Sequence, residues 1–102
     1  MWPFGRRADK LSMEQAIERA ERLVRKYGQT GPYRLVEDPV VLRNLVRGLA
    51  RNWVRHGLPL CPCKKVTGKR EVDKWIVCPC REHHEEIARD GSCCCGLFYK
   101  GD

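Results

Sequence analysis

Apolar residues between positions 16 and 27 recur three or four residues apart, which is the spacing of one helix face. Just before them, Ser12 and Gln15 have the form of a capping box, in which each side chain bonds the backbone N–H of the other residue. Gly28 offers a natural end. The pattern predicts a helix over residues 13–27. Its buried face is expected to contain Ala16, Ile17, Ala20, Leu23, Val24 and Tyr27.

A second apolar stripe of the same period lies between residues 41 and 54. Asp38 can cap the start of this helix, and Pro39 suits its first position because the N–H there has no helical partner. His56 and Gly57 form a natural stop. We therefore predict a loop over residues 29–37 and then a second helix. Its buried face is expected to contain Val41, Leu42, Leu45, Val46, Leu49, Trp53 and Val54.

The chain after residue 70 carries weaker periodic patterns. Residues 81–89 predict a short third helix with little apolar surface, which we expect to pack against the cysteine-rich part of the chain. Residues 74–77 predict a short extended segment. Tryptophan in a small domain is usually a core residue, so Trp2, Trp53 and Trp75 are expected mainly in the core, with Trp75 shielding the cysteines.

Length and hydropathy limit the class of protein. The chain has 102 residues, which suits one domain. It contains no apolar run of about 18 residues, which a membrane helix requires. Residues 1–7 lack the apolar stretch of a signal peptide. We expect a cytoplasmic protein that is neither exported nor inserted in a membrane.

The formal net charge of +7 would attract nucleic acid, an anionic membrane or an acidic protein. The basic residues do not form one arm, because they are spread at helix-like intervals among acidic and apolar residues. Solvated helix faces are the simpler interpretation of this pattern. Nucleic acid is therefore not the expected partner.

All seven cysteines lie between residues 61 and 95 and form three short groups. Two Cys-Pro-Cys groups at 61–63 and 78–80 are separated by fourteen residues, and a Cys-Cys-Cys group at 93–95 follows after twelve more. An odd number fits a closed disulfide framework poorly, and no secretion signal accompanies it. A metal or redox site is therefore the better interpretation.

Soft thiolate ligands suit an iron-sulfur cluster or zinc. Zinc sites usually use Cys-x2-4-Cys pairs, whereas each Cys-Pro-Cys pair here has one intervening residue, which favours iron and sulfur. Four thiolates suffice for a 4Fe-4S cluster, and two surplus thiols could form a disulfide that exchanges with a partner. A zinc-binding module that contacts nucleic acid or protein is the alternative.

These cysteine groups and their neighbours resemble the catalytic subunit family of ferredoxin:thioredoxin reductase, in particular its archaeal and anaerobic bacterial members. The resemblance implies a mainly helical, single-domain iron-sulfur protein. Residues 1–60 would be a helical scaffold, and residues 61–95 would carry the cluster and the redox disulfide in cysteine-rich loops and a short helix. The matching segments are Cys61-Pro62-Cys63, Trp75-Ile76-Val77-Cys78-Pro79-Cys80-Arg81 and Cys93-Cys94-Cys95-Gly96-Leu97-Phe98.

The resemblance also divides the cysteines between two roles. Cys63 and Cys95 would form the active-site disulfide. The 4Fe-4S cluster would be bound by Cys61, Cys78, Cys80 and Cys93. The activity implied is a disulfide oxidoreductase, in which electrons pass one at a time from ferredoxin through the cluster to the disulfide and on to thioredoxin or a similar protein. A second, variable subunit is a further partner in some members.

Two positions depart from many family members. Cys94 stands between the last ligand and the last redox cysteine, where many members have a histidine, and the twelve-residue spacing before the triplet is longer. His83 or His84 could substitute for that histidine in proton transfer, although exposed helix positions are the commoner role of such residues. We expect Cys94 to be a bystander.

Overall fold

A pair of long helices forms the framework of residues 11–101, the part of the chain that the computed structural model describes. The first helix, α1 (Met13–Thr30), begins at the predicted capping box: Ser12 Oγ accepts the Gln15 N–H and Gln15 Oε1 accepts the Ser12 N–H, both at 3.1 Å. The predicted helix is confirmed, but it continues through Gly28 and ends at Gly31. A Cβ atom on Gly28 would lie 3.1 Å from Leu35 Cβ, so this glycine serves close packing and not helix termination.

The second helix, α2 (Pro39–His56), has the predicted start and stop. Asp38 Oδ1 accepts the Val40 N–H at 2.9 Å, and Gly57 ends the helix with a left-handed φ of 78°. Its buried stripe includes Leu49 and Val46. Val41 is 37% exposed, so its predicted burial is wrong: it lies in the first turn, before the part of the stripe that the core covers.

The predicted loop over 29–37 is wrong in its middle, which contains the strand β1 (Tyr33–Leu35). This strand pairs antiparallel with β2 (Phe98–Lys100), and Leu35 lies opposite Phe98. The Val36 N–H extends the contact by donating to the Leu97 carbonyl at 2.7 Å. The small sheet therefore fixes the segment after the cysteine triplet beside the connection between the two long helices.

One apolar core joins the helices to the cysteine-rich half of the chain. It includes Val24 from α1, Leu49 from α2, and Leu97 and Phe98 from the end of the chain, all fully or almost fully buried. Two cysteines belong to the same core, Cys78 and Cys93. The prediction of a small, mainly helical single domain is confirmed, while the division into a 1–60 scaffold and a 61–95 site segment stays a prediction.

Residues 70–77 differ from the predicted extended segment. A short helix, α3 (Arg70–Asp73), runs into a 3-10 helix (Lys74–Ile76), and only Val77 makes an antiparallel bridge, to Leu60. The buried Asp73 carboxylate organises this turn by accepting the N–H groups of Thr67 and Gly68 at 2.9 and 3.0 Å. Those backbone bonds lower the pKa of Asp73, the largest effect being that of Thr67.

The tryptophans lie in different environments from one another. Trp75 is 50% exposed, so its predicted core position is wrong, and the Lys74 and Arg81 cations lie 4.9 and 4.7 Å from its ring. Trp75 lies in a 3-10 turn that has no buried residue, in place of the predicted extended segment. Trp53 is partly buried against the core, and Trp2 lies outside the described residues.

The last helix, α4 (His83–Asp90), confirms the predicted short helix over 81–89 with a start two residues later. Gly91 ends it with a left-handed φ of 86°. Ile87 enters the core, while His83 and Glu86 are buried polar residues on the side of the cysteines. None of the helices within residues 11–101 is long and apolar enough to cross a membrane.

Candidate redox and metal site

The seven cysteines differ sharply in exposure. Cys63 and Cys94 are exposed, and Cys95 is half-buried. The other four are buried, with between 3% and 6% of their surface exposed: Cys61, Cys78, Cys80 and Cys93. The structure therefore separates four enclosed sulfur atoms from three that solvent or a partner can approach.

Three of the sulfur atoms form one tight group. The Sγ atom of Cys61 lies 3.6 Å from that of Cys63 and 3.5 Å from that of Cys95, and all three lie within 4.8 Å of one another. The two cysteines expected to form a disulfide are thus brought together. Cys61 is the only one of the four expected ligands in this group among residues 11–101.

The first cysteine loop is held between α2 and the 3-10 helix. The Cys61 N–H donates to the Ile76 carbonyl at 2.7 Å, and the Lys64 N–H closes the loop on the Cys61 carbonyl at 3.2 Å. Pro62 packs on Gly48 of α2 so closely that a Cβ atom at position 48 would lie 2.9 Å from Pro62 Cβ. Gly48 is therefore needed for the approach of this loop.

Replacing Gly48 with alanine tests this contact. Alanine would ordinarily stabilise a helix interior by about 1 kcal/mol, but here the Pro62 ring must move, and overpacking costs about 1–3 kcal/mol. We expect a net loss of unfolding free energy in denaturant titration. Asn44→Ala, at an exposed position of the same helix, is the control and should be neutral or stabilising. A stabilised Gly48→Ala protein would contradict the packing argument.

The other two loops enclose their first cysteines through backbone bonds. The Cys78 N–H donates to the Pro59 carbonyl at 3.0 Å, and the Cys93 N–H donates to the Phe98 carbonyl at 3.0 Å. In return, the Phe98 N–H points at the Cys93 Sγ atom at 3.4 Å. Hydrogen bonds to the sulfur ligands are one means by which proteins tune iron-sulfur clusters. The four buried thiols are the kind of soft ligand that such a cluster uses, and one of them, Cys93, has this N–H donor beside it.

Contacts between the thiols shift their pKa values in opposite directions. The pKa of Cys61 is lowered because the Cys80 and Cys95 thiols hydrogen-bond its thiolate. Burial, followed by the charge on Cys61, raises the pKa of Cys78. Partial burial of the sulfur, followed by a hydrogen bond with Cys94 and the charge on Cys61, raises the pKa of Cys63. The pKa of Cys93 is lowered as well, mainly by a hydrogen bond from the Cys95 thiol, so the thiolate form is favoured at Cys61 and at Cys93.

The two histidines of α4 have different surroundings. His83 is buried, so it is not an exposed helix residue as expected, while His84 is exposed. The His83 Nδ1 atom lies 2.6 Å from the Cys80 carbonyl, which only accepts, so this nitrogen carries the proton. Its Nε2 atom then accepts the Tyr27 O–H at 2.7 Å. With both nitrogens bonded, His83 fastens the second cysteine loop to α1.

A buried ion pair beside the cysteines was not anticipated from the sequence. The Lys64 Nζ atom, directly after the first cysteine pair, lies 2.5 Å from Glu86 Oε2 and 2.9 Å from Glu82 Oε1. The hydrogen bond to Glu86 is the main reason that the pKa of Lys64 is raised. Glu82, directly before α4, and Glu86 within it are four residues apart and could be noticed in the sequence, but the sequence does not show which cation they contact.

The described residues form a small helical domain that carries seven cysteines in three loops. Four of these cysteines are buried, and three sulfur atoms lie close enough together to hold a metal ion. The family model described as ferredoxin thioredoxin reductase catalytic beta chain matches residues 10–102, and the chain belongs to this family. The predicted resemblance is thereby confirmed. No curated protein sequence matches the chain. The family comprises disulfide reductase catalytic subunits and is known for an iron-sulfur cluster, and its name gives ferredoxin and thioredoxin as partners.

Proposed function

We propose that this protein is an iron-sulfur disulfide reductase that takes electrons singly from ferredoxin and uses them to reduce a disulfide of thioredoxin or a similar protein. The observation that carries the proposal is the difference in burial between two sets of cysteines. A reductase of this kind needs enclosed sulfur ligands and an accessible pair of reactive thiols. We propose a cytoplasmic location, because a cysteine pattern of this kind more often serves metal or redox chemistry in that compartment.

The four enclosed cysteines are proposed to hold a 4Fe-4S cluster: Cys61, Cys78, Cys80 and Cys93. When bound, such a cluster exchanges single electrons, whereas reduction of a disulfide requires two. The chain contributes thiols that reach the site from three loops, and it excludes water from most of them. The Phe98 N–H supports the Cys93 sulfur.

Cys63 and Cys95 are proposed as the reactive pair. Because the pKa of Cys63 is raised, its thiol must first lose its proton. The thiolate of the exposed Cys63 then attacks one sulfur of the partner disulfide, which forms a mixed disulfide and releases a partner thiolate. Cys95, within 4.8 Å, then attacks the Cys63 sulfur and frees the second partner thiol. The partner gains two electrons and two protons, and the Cys63–Cys95 disulfide that remains needs two electrons and two protons for its reduction.

The partners are proposed from charge and from the family. The net charge of +7 favours the encounter with an acidic electron donor such as a ferredoxin. A variable subunit is proposed only as an additional partner. Spectroscopic titration of the protein with ferredoxin at increasing salt would measure this electrostatic contribution.

Anaerobic purification tests the cofactor directly. We expect a brown protein with about four irons and four sulfides per chain. Colourless protein containing about one zinc ion per chain would instead support the alternative, a zinc-binding module, for which the tight group of three sulfur atoms could serve as the site. Reduction of thioredoxin by the purified protein with ferredoxin as donor completes the test.

A further inference from the structure

Glu86 is a buried carboxylate that contacts all three cysteine segments. Its side chain is 10% exposed, and Oε2 pairs with the ammonium of Lys64, the residue after the first cysteine group. Its Oε1 atom accepts the backbone N–H of Cys94 at 2.9 Å and lies 4.0 Å from the Cys80 sulfur. One side chain therefore fastens the loop of Cys63 and the triplet to the same point on α4.

Stability alone does not account for this arrangement. Burial of an ion pair contributes little net free energy, because the loss of hydration offsets the attraction of the charges. Lys64 also has the exposed Glu82 at 2.9 Å, which would neutralise it without burial of a second carboxylate. Fixing one arrangement among several is the best-attested role of such buried charges.

Two neighbouring cysteines, Cys94 and Cys95, could each form a disulfide with Cys63. Cys95 contributes its sulfur to the tight group with Cys61 and Cys63. Cys94, the adjacent residue, is exposed, and its thiol is near enough to Cys63 to contribute to the raised pKa of that thiol. Because both residues lie in one turn, a rotation of the backbone at Cys94 would change which sulfur faces Cys63.

We propose that Glu86 is a positioning residue that selects Cys95 over Cys94 as the disulfide partner of Cys63, an inference that rests on the function proposed above. The bond to the Cys94 N–H fixes the backbone of the triplet, and the bond to Lys64 fixes the loop of Cys63. When the disulfide forms, the two thiols lose two protons and two electrons to the oxidising disulfide. Glu86 undergoes no chemical change in this step.

The test measures which cysteines pair. The anaerobically purified full-length protein is oxidised with a limited amount of oxidised dithiothreitol, free thiols are alkylated, and the Cys63–Cys95 and Cys63–Cys94 disulfides are quantified by tandem mass spectrometry. The unaltered chain should form mainly the first. Glu86→Ala, which removes both tethers, should lower the ratio about tenfold, the factor for one lost hydrogen bond to a charged group. Glu86→Gln, which keeps an acceptor for the Cys94 N–H, should have a smaller effect.

Glu85→Gln provides the control, because it makes the same change of charge at an exposed position of α4 and should leave the ratio unchanged. Circular dichroism and iron content establish that each variant is folded and loaded. A ratio of Cys63–Cys95 to Cys63–Cys94 disulfide in Glu86→Ala equal to that of the unaltered chain overturns the proposal. If Glu86→Ala does not fold, the same comparison is made with Glu86→Gln. The disulfide ratio is measured without turnover. If the Glu86 variants shift this ratio but the unaltered protein does not reduce thioredoxin, the proposed function is wrong and the positioning role of Glu86 still holds.

Discussion

Replacement of Cys63 with serine is expected to abolish disulfide reduction while the iron content stays unchanged. A hydroxyl group cannot form or exchange a disulfide, so the exposed attacking group is lost. The four enclosed sulfur atoms are untouched by this change. The rate of ferredoxin-dependent thioredoxin reduction should fall by at least about three orders of magnitude, as for other lost nucleophiles. Iron and sulfide analysis of the same sample measures the second half of the expectation.

Two further variants give this experiment its specificity. Cys94→Ser removes the other exposed thiol of the site and should retain both activity and iron. Cys95→Ser should still allow Cys63 to attack, but the mixed disulfide with thioredoxin should accumulate because no second thiol resolves it. Retained turnover in Cys63→Ser together with loss of colour would reverse the proposed roles of the cysteines.

The long helices could be predicted because their signals are local. Ser12 and Gln15 lie three residues apart, and Asp38 accepts N–H groups two and three residues away. A short stretch of sequence is therefore enough to predict where each helix begins. The end of α1 was missed for a different reason. Gly28 is required by a contact with Leu35 in β1, and a tertiary contact of this kind cannot be distinguished in sequence from a helix stop.

The sheet and the surface of the site could not be predicted in the same way. β1 and β2 have three residues each and join parts of the chain as distant as Arg34 and Lys100, 66 residues apart. Such short strands carry too little pattern to be identified without their partner. Trp75 was placed in the core by residue type alone, whereas the turn formed by residues 70–76 determines its exposure.

The site itself was partly readable from the cysteine spacing. Short spacings within each group and the odd number of cysteines were enough to expect one soft-metal or redox site. The central position of Cys61 and the tether through Glu86 were not readable, because they depend on how three loops and α4 meet in space. Lys64 and Glu86, for example, are 22 residues apart.

If the proposed cluster is bound, replacement of Cys78 is expected to remove it, together with most of the stability of the fold. Cys78 is 4% exposed and belongs to the core, so its sulfur reaches the site from inside the protein. In small metal-binding domains, the free energy of metal binding contributes directly to the free energy of folding. Cys78→Ser and Cys78→Ala should therefore both lose nearly all iron, and the unfolding free energy should fall by more than about 3 kcal/mol in anaerobic denaturant titration.

The comparison of serine with alanine separates a ligand from an ordinary core residue at this position. If Cys78 only filled space, alanine would leave iron in place and cost little, whereas serine would be worse because it buries a hydroxyl group without a partner. If Cys78 holds the cluster, the two variants lose iron equally, since neither supplies a thiolate. Cys94→Ala, which shortens an exposed cysteine, should keep both iron and stability. Full iron content in Cys78→Ala would exclude Cys78 from the ligands. The three remaining buried cysteines would then be too few for the four thiolate ligands of a 4Fe-4S cluster.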